Sequence, residues 1–152
     1  MSRKWRMSPF SDLSGRGGVI AQGRWHHAGR PVVYLTDSPS SAMLETLVHL
    51  EIDPEDLPNT FQLLQVDLPD HVSEQRVGTL PTGWREDQEM TRKIGDEWLD
   101  GGESLILEVP SAIMPHTQNF LLNPQHPEAA EACVKAERYP FDTRLLKGAL
   151  KR

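Results

Sequence analysis

With 152 residues, 38% apolar and 25% charged, the chain is long enough for one sizeable core and too short for two independent ones. A formal charge of −6 speaks against a nucleic-acid groove, which needs lysine and arginine clustered on the phosphates. The single cysteine excludes an intrachain disulfide and suits a reducing, cytoplasmic setting, while no apolar run reaches membrane-spanning length and the opening MSRKWRMSPF lacks the apolar core of a secretory signal.

Trp5-Arg6-Met7 predicts a short opening strand, ended by Ser8-Pro9. The short basic ends, Arg3-Lys4 with Arg6 and Lys147 with Lys151-Arg152, read as solvated tails. Ser14 to Gly18 predicts a flexible surface loop. Its glycines could also bring backbone close to a phosphate, but neither GxGxxG after a strand nor a Walker lysine accompanies them. Gln22-Gly23-Arg24-Trp25 follows, then Val32 to Thr36, β-branched and aromatic as a half-buried strand should be. Ser38 stands where an N-cap belongs, with Pro39 at the first helical position. In that helix Met43, Leu44, Leu47 and Leu50 form the expected buried stripe, and Glu45 lies off it, towards a groove or towards water.

Asp53-Pro54 and Leu57-Pro58 are stops, and Phe61 to Leu68 is a second strand with Leu64, Val66 and Leu68 on one face. Thr79 to Gly83 is a turn. Asp87 to Leu99 reads as a helix with Met90, Ile94 and Trp98 inward, its charged remainder in solvent and Gly101-Gly102 as the stop. Ser104 to Val109 and Phe120 to Leu122 predict two more strands. Pro127 opens an alanine-rich helix to about Glu137, in which Cys133 is a small buried hydrophobe, and Tyr139 to Leu146 is a last edge strand limited by Pro140. Strands and helices alternate irregularly, so the expected class is a single α+β domain with a mixed sheet and flanking helices.

Six histidines raise the possibility of a metal, but His26, His27, His49, His71, His116 and His126 match no standard ligand spacing, and no metal site is expected. Ser111 follows a strand in the context VPSAI, which is not a nucleophile elbow; it reads as a residue that caps a turn or bonds a ligand. Arg24, Tyr34 and Glu45 are more informative together. An arginine after glycine can clamp a pyrophosphate, a tyrosine can stack on a flat heterocycle, and a carboxylate near a ribose can stabilise positive charge at its anomeric carbon. Each also has a plain structural reading, as a surface arginine, a core tyrosine and a solvated glutamate.

The ordered series Gly23-Arg24-Trp25, Gly29, Val33-Tyr34-Leu35, Ala42, Leu44-Glu45, His49, Trp98-Leu99, Val109-Pro110-Ser111, Asn119, Asn123-Pro124, His126-Pro127 and Phe141 to Leu145 resembles the RES domain family from about residue 6 to 145. The chain departs from the family pattern at Gln22, where a glycine is usual, and at His26, where asparagine is common. The resemblance implies an ADP-ribosyltransferase-like fold with a split sheet over residues 1–152. It implies cleavage of the nicotinamide–ribose bond of NAD, with NAD as substrate, no further cofactor, and water or inorganic phosphate as acceptor. Also implied is a role as toxin with an Xre-like antitoxin that blocks the cleft in a larger complex. The sequence does not fix an oligomeric state, though a homodimer within that complex is compatible with it, and charge and hydropathy speak against nucleic acid and membrane as partners. Carried over by motif, Glu45 is the catalytic carboxylate, Arg24 binds the NAD phosphates, Tyr34 contacts nicotinamide or its ribose, Ser111 lines the pocket, and Asn119 and Arg6 reach the dinucleotide. The alternatives are a protein ADP-ribosyltransferase, a non-catalytic partner-binding module and a metal-dependent hydrolase.

Overall fold

A computed structural model describes residues 1–49 and 61–138, together with 142 and 144. The expected stops at Asp53-Pro54 and Leu57-Pro58, the helical position Leu50, the strand proposed from Tyr139 and the basic end at Lys147 to Arg152 lie outside the described residues. Among the described residues seven strands form one mixed sheet: β1 (Ser2–Ser8), β2 (Val33–Thr36), β3 (Gln62–Leu68), β4 (Glu74–Arg76), β5 (Ile106–Pro110), β6 (Gln118–Leu122) and β7 (Cys133–Arg138). Their order is β4-β5-β6-β2-β1-β3-β7, with only the β4–β5 pair parallel. The helices are α1 (Arg16–Ile20), α2 (Pro39–His49) and α3 (Gln88–Gly101).

The sheet is two halves held by a thin seam. β1 pairs with β3 along its whole length, and β2 with β6 over four residues, yet β1 and β2 meet in register only at Trp5 and Thr36. Beyond that pair the two central strands no longer bond to each other, and a cleft opens between them. The expected split sheet is thus present as a continuous sheet with a one-pair hinge line.

β2 packs on both sides rather than one. Val33 and Leu35 join Val66, Leu68, Phe120 and Leu122 in one cluster, while Val32, just before the strand, and the partly buried Tyr34 pack with Trp25, Trp84, Trp98, Leu107 and Leu121 in another. α2 begins as predicted: the Ser38 hydroxyl accepts the Ser41 amide at 3.1 Å. Its stripe Met43, Leu44 and Leu47 is only half-buried and borders an apolar groove of about 410 Å³ with Met7 and Leu63, so Ala42 is the helix's fully buried contact. α3 is capped by the Asp87 side chain at Met90 N, 3.1 Å, and stops at Gly102 in the left-handed region, φ 61°.

Three expectations are corrected. The Ser14–Gly18 loop carries the short helix α1. The alanine-rich stretch is no helix: Pro127–Glu131 makes one 3-10 turn, Ala132 is extended, and Cys133–Arg138 pairs antiparallel with β3, Val134 opposite Val66. A helix of that length gains little alone, whereas the strand completes the hydrogen bonding of β3. Cys133 is consequently exposed, not buried. Finally, the charged remainder of α3 is not all solvent face, since Thr91, Gly95 and Asp96 are buried. No helix among the described residues is long and apolar enough to cross a membrane.

Candidate active site

The cleft between the two half-sheets has a volume of about 680 Å³, within the range of small-molecule sites. Arg6 from β1, Arg24 from the turn after α1, Tyr34 from β2, Glu45 from α2 and Asn119 from β6 all line it. Residues far apart in the chain converge here because β1, β2 and α2 meet at the seam.

The turn carrying Arg24 is held by one face of α3. Arg92 Nε donates to the Gly23 carbonyl at 2.8 Å, and Thr91 Oγ1 donates to the Arg24 carbonyl at 2.6 Å. Gly95 lies against the Trp25 carbonyl so closely that a Cβ there would sit 2.7 Å from the Trp25 carbonyl carbon. Asp96 accepts the His27 amide at 2.9 Å and its ring Nδ1 at 2.6 Å. Positions 91, 92, 95 and 96 are neighbours on a helix surface, so a single element fixes the backbone on both sides of Arg24. The Arg24 side chain donates to the Arg85 carbonyl at 2.9 Å. Burial lowers its pKa and the Glu45 charge opposes that, so the two side chains share one electrostatic neighbourhood.

Tyr34 is a brace at the cleft floor. His26 Nε2 lies 3.0 Å from the Gly18 carbonyl, which can only accept, so that nitrogen carries the proton. Nδ1 is therefore the acceptor, for the Gly23 amide at 3.2 Å and the Tyr34 hydroxyl at 2.7 Å. The same hydroxyl accepts the Trp25 amide at 3.1 Å. Burial lowers the His26 pKa and raises that of Tyr34, keeping both neutral. With its hydroxyl engaged twice by the protein, Tyr34 turns its ring to the cleft. Gly23 must be glycine here: a Cβ would approach Tyr34 Cζ to 2.8 Å.

Glu45 points into the cleft and not to water. Its Oε1 accepts from Ser111 Oγ at 3.1 Å and from Asn119 Nδ2 at 2.8 Å. Ser111 is itself anchored, accepting the amides of Ile113 and Met114 at 3.2 Å each. Two neutral donors thus orient a carboxylate without neutralising it, the arrangement a charge-stabilising group needs. Ser111 is 2% exposed and lies behind Glu45, not on the cleft wall.

Other expected positions serve the scaffold. Trp98 donates to Ser104 Oγ at 2.8 Å inside the core, and Asn123 bonds the Leu99 carbonyl at 3.3 Å, while Ala112, Ile113 and Asn119 line the cleft. The basic start is not a patch: Arg3 pairs with Asp67 at 2.8 Å and Lys4 with Asp37 at 2.9 Å, while Arg6 lines the cleft. No His, Cys, Asp and Glu group suited to a metal occurs among the described residues. Sequence reasoning missed Thr91, Arg92, Gly95, Asp96 and the brace role of His26. The one available signal was Gly95, a glycine inside an otherwise regular helical pattern.

The RES domain model matches residues 2–144. A relative from Pseudomonas putida named Toxin Res is 54% identical over 141 residues, covering 93% of this chain and 97% of that protein. A Sphingobium protein named Prs ADP-ribosylating toxin is 35% identical over 147 residues, covering 91% of this chain and 89% of its own length. Among solved structures, a chain of the M. tuberculosis MbcT–MbcA toxin–antitoxin complex superimposes with a TM-score of 0.67 at 16% identity, covering 99% of this chain and 90% of that one. That likeness establishes a shared fold.

Proposed function

The chain belongs to the RES domain family, and on that premise we propose that it is a toxin that consumes NAD by cleaving the nicotinamide–ribose bond. The observation that carries the reading is Glu45, a carboxyl group aimed into a cleft by Ser111 and Asn119 and set in the field of Arg24. Nicotinamide departs with the electron pair of the C–N bond, leaving an oxocarbenium-like ribose. Glu45 stabilises that positive charge or holds the ribose hydroxyl beside it. Water or inorganic phosphate then attacks the anomeric carbon and gives up its proton, which makes the enzyme a glycohydrolase or a phosphorylase.

Support for a toxin paired with an antitoxin comes from the relatives' names and from the fold shared with a chain of a toxin–antitoxin complex. By the family resemblance the antitoxin is Xre-like and closes the cleft. A second reading, ADP-ribosylation of a protein acceptor, is favoured by the 35% identical relative with that activity in its name. The first bond broken is the same in both.

The test is incubation of the purified chain, freed of partner, with NAD in the presence and absence of phosphate and of a candidate protein acceptor, with products identified by mass spectrometry. Release of nicotinamide together with ADP-ribose or its 1-phosphate supports small-molecule cleavage, and a mass increase on the protein acceptor supports transfer. Folded protein that releases no nicotinamide would leave only a partner-binding module, and loss of turnover with chelator would favour metal hydrolysis instead. Glu45→Gln keeps the shape but removes the charge, and is expected to bind NAD while losing roughly a hundredfold or more in kcat.

A further inference from the structure

The turn that carries Arg24 closes on one side chain. Gly23 and His26 form an isolated antiparallel bridge, in which the Gly23 amide reaches the His26 carbonyl and the His26 ring Nδ1 at 3.2 Å each. On the other side of Arg24 the Trp25 amide donates to the Tyr34 hydroxyl at 3.1 Å, and that hydroxyl donates to the same Nδ1 at 2.7 Å. Both amides that flank Arg24 are therefore held by a single hydrogen-bonded pair, His26 with Tyr34. His26 is 1% exposed and its ring is seated from behind: Nε2 donates to the Gly18 carbonyl at 3.0 Å, and a Cβ on Gly18 would come 3.1 Å from that nitrogen.

The pair works only while Nδ1 keeps its lone pair. A proton there turns the acceptor into a donor that faces two other donors, the Gly23 N–H and the Tyr34 O–H. The hydroxyl can rotate to accept, but its own proton then loses its partner, and the Gly23 amide keeps only the His26 carbonyl. Burial above all lowers the His26 pKa from 6.5, so the ring is neutral at neutral pH and the charged form appears as pH falls below that value. The surrounding charges give an imidazolium little relief. Asp96, whose charge favours it, already binds the His27 ring at 2.6 Å and Arg30 at 3.3 Å, and the Arg30 charge opposes it. Arg92 and Arg6, whose charges reach the Tyr34 hydroxyl, add further positive potential.

We propose that His26 is the positioning residue of the Arg24 turn, and that its neutral Nδ1 makes the geometry of the site sensitive to acid. Protonation releases the Gly23 and Trp25 amides together and shifts Arg24 relative to Glu45, although neither of those side chains has changed its own bonds. His26 touches no substrate in this role. It acts through Arg24, and to that extent the role rests on the NAD reading above.

The experiment has two arms. In the first, kcat/KM for NAD is measured from pH 5 to about 8 for wild type, His26→Asn and His26→Phe, each checked for folding by thermal melting. Asparagine presents an uncharged acceptor, whereas phenylalanine fills the space with none. Expected is a fall on the acid side in wild type that His26→Asn lacks, and for His26→Phe a loss of roughly tenfold or more at every pH. Equal acid falls in wild type and His26→Asn, or a His26→Asn enzyme as impaired at neutral pH as His26→Phe, overturn the proposal. The second arm needs neither a variant nor turnover: heteronuclear NMR of wild type follows the His26 ring and the Gly23 and Trp25 amides over the same range. Expected is a proton on Nε2 of the neutral ring, with both amides titrating together with it. A proton on Nδ1 of the neutral ring, or amides that do not move with the ring, overturn the proposal. Ring-linked amide shifts in a protein that releases no nicotinamide at any pH would sink the NAD reading and uphold the acid-sensitive turn. Nicotinamide release without those shifts would do the reverse.

Discussion

Gly95→Ala is the substitution whose sign separates the sequence from the structure. On propensity alone alanine in a helix interior stabilises by about 1 kcal/mol over glycine. In this fold the added Cβ would lie 2.7 Å from the Trp25 carbonyl carbon and 3.2 Å from its Cβ, and nearer still to the carbonyl oxygen. Both partners are backbone or branch directly from it, so the relief must come from moving α3 away from the turn. Such overpacking costs about 1–3 kcal/mol and more where backbone resists. The same displacement stretches the Thr91 and Arg92 bonds to the neighbouring carbonyls, now 2.6 and 2.8 Å, each worth about 1 kcal/mol. The balance after the propensity gain is a destabilisation of about 2–4 kcal/mol, or a Tm lowered by roughly 5–15 °C for a domain of this size. Urea denaturation read by tryptophan fluorescence measures it directly, because Trp25 and Trp84 pack at the contact with ring centroids 6.0 Å apart. A Gly95→Ala protein as stable as wild type or more so would show that α3 does not clamp the turn.

Ser111→Ala removes one donor to Glu45 and leaves the Ile113 and Met114 amides without their acceptor. It should cost about 1–2 kcal/mol of stability and roughly tenfold or more in kcat, with no covalent adduct in wild type by intact-mass measurement; an acyl- or glycosyl-serine would refute the supporting role. Two adjacent histidines should act on stability with opposite signs. His26 is neutral and its pKa is lowered from 6.5 by burial, so its contribution is complete above that value and declines as pH falls from there through the folded pKa. The His27 pKa is raised from 6.5 by its bonds to Asp96 and then Glu89, so its contribution is present below that value and is lost as pH rises through the folded pKa. Denaturation midpoints measured from pH 5 to about 8 should lose the alkaline slope in His27→Gln and keep the acid one, and a profile unchanged by that substitution would refute the His27 assignment.

Local signals in the sequence were sufficient where a residue's role depends on its near neighbours. Ser38-Pro39 starts α2, Asp87 and Gly102 bracket α3, and the alternation of Leu64, Val66 and Leu68 marks β3, because caps and periodicity are properties of a few adjacent residues. Position in the family motif likewise placed Arg24, Tyr34 and Glu45 together, and they do line one cleft. Tertiary structure decided what those residues touch. Whether Glu45 faced water or a groove depended on Ser111 and Asn119, 66 and 74 residues away. Pro127 to Glu137 could not declare itself as turn and strand until β3 offered an unpaired edge, and the polar face of α3 turned inward only because the carbonyls of Gly23 to Trp25 lay against it. Helix caps and strand periodicity are written in short range, whereas the partner of a buried polar group is supplied by a distant segment and exists only once the chain has closed on itself.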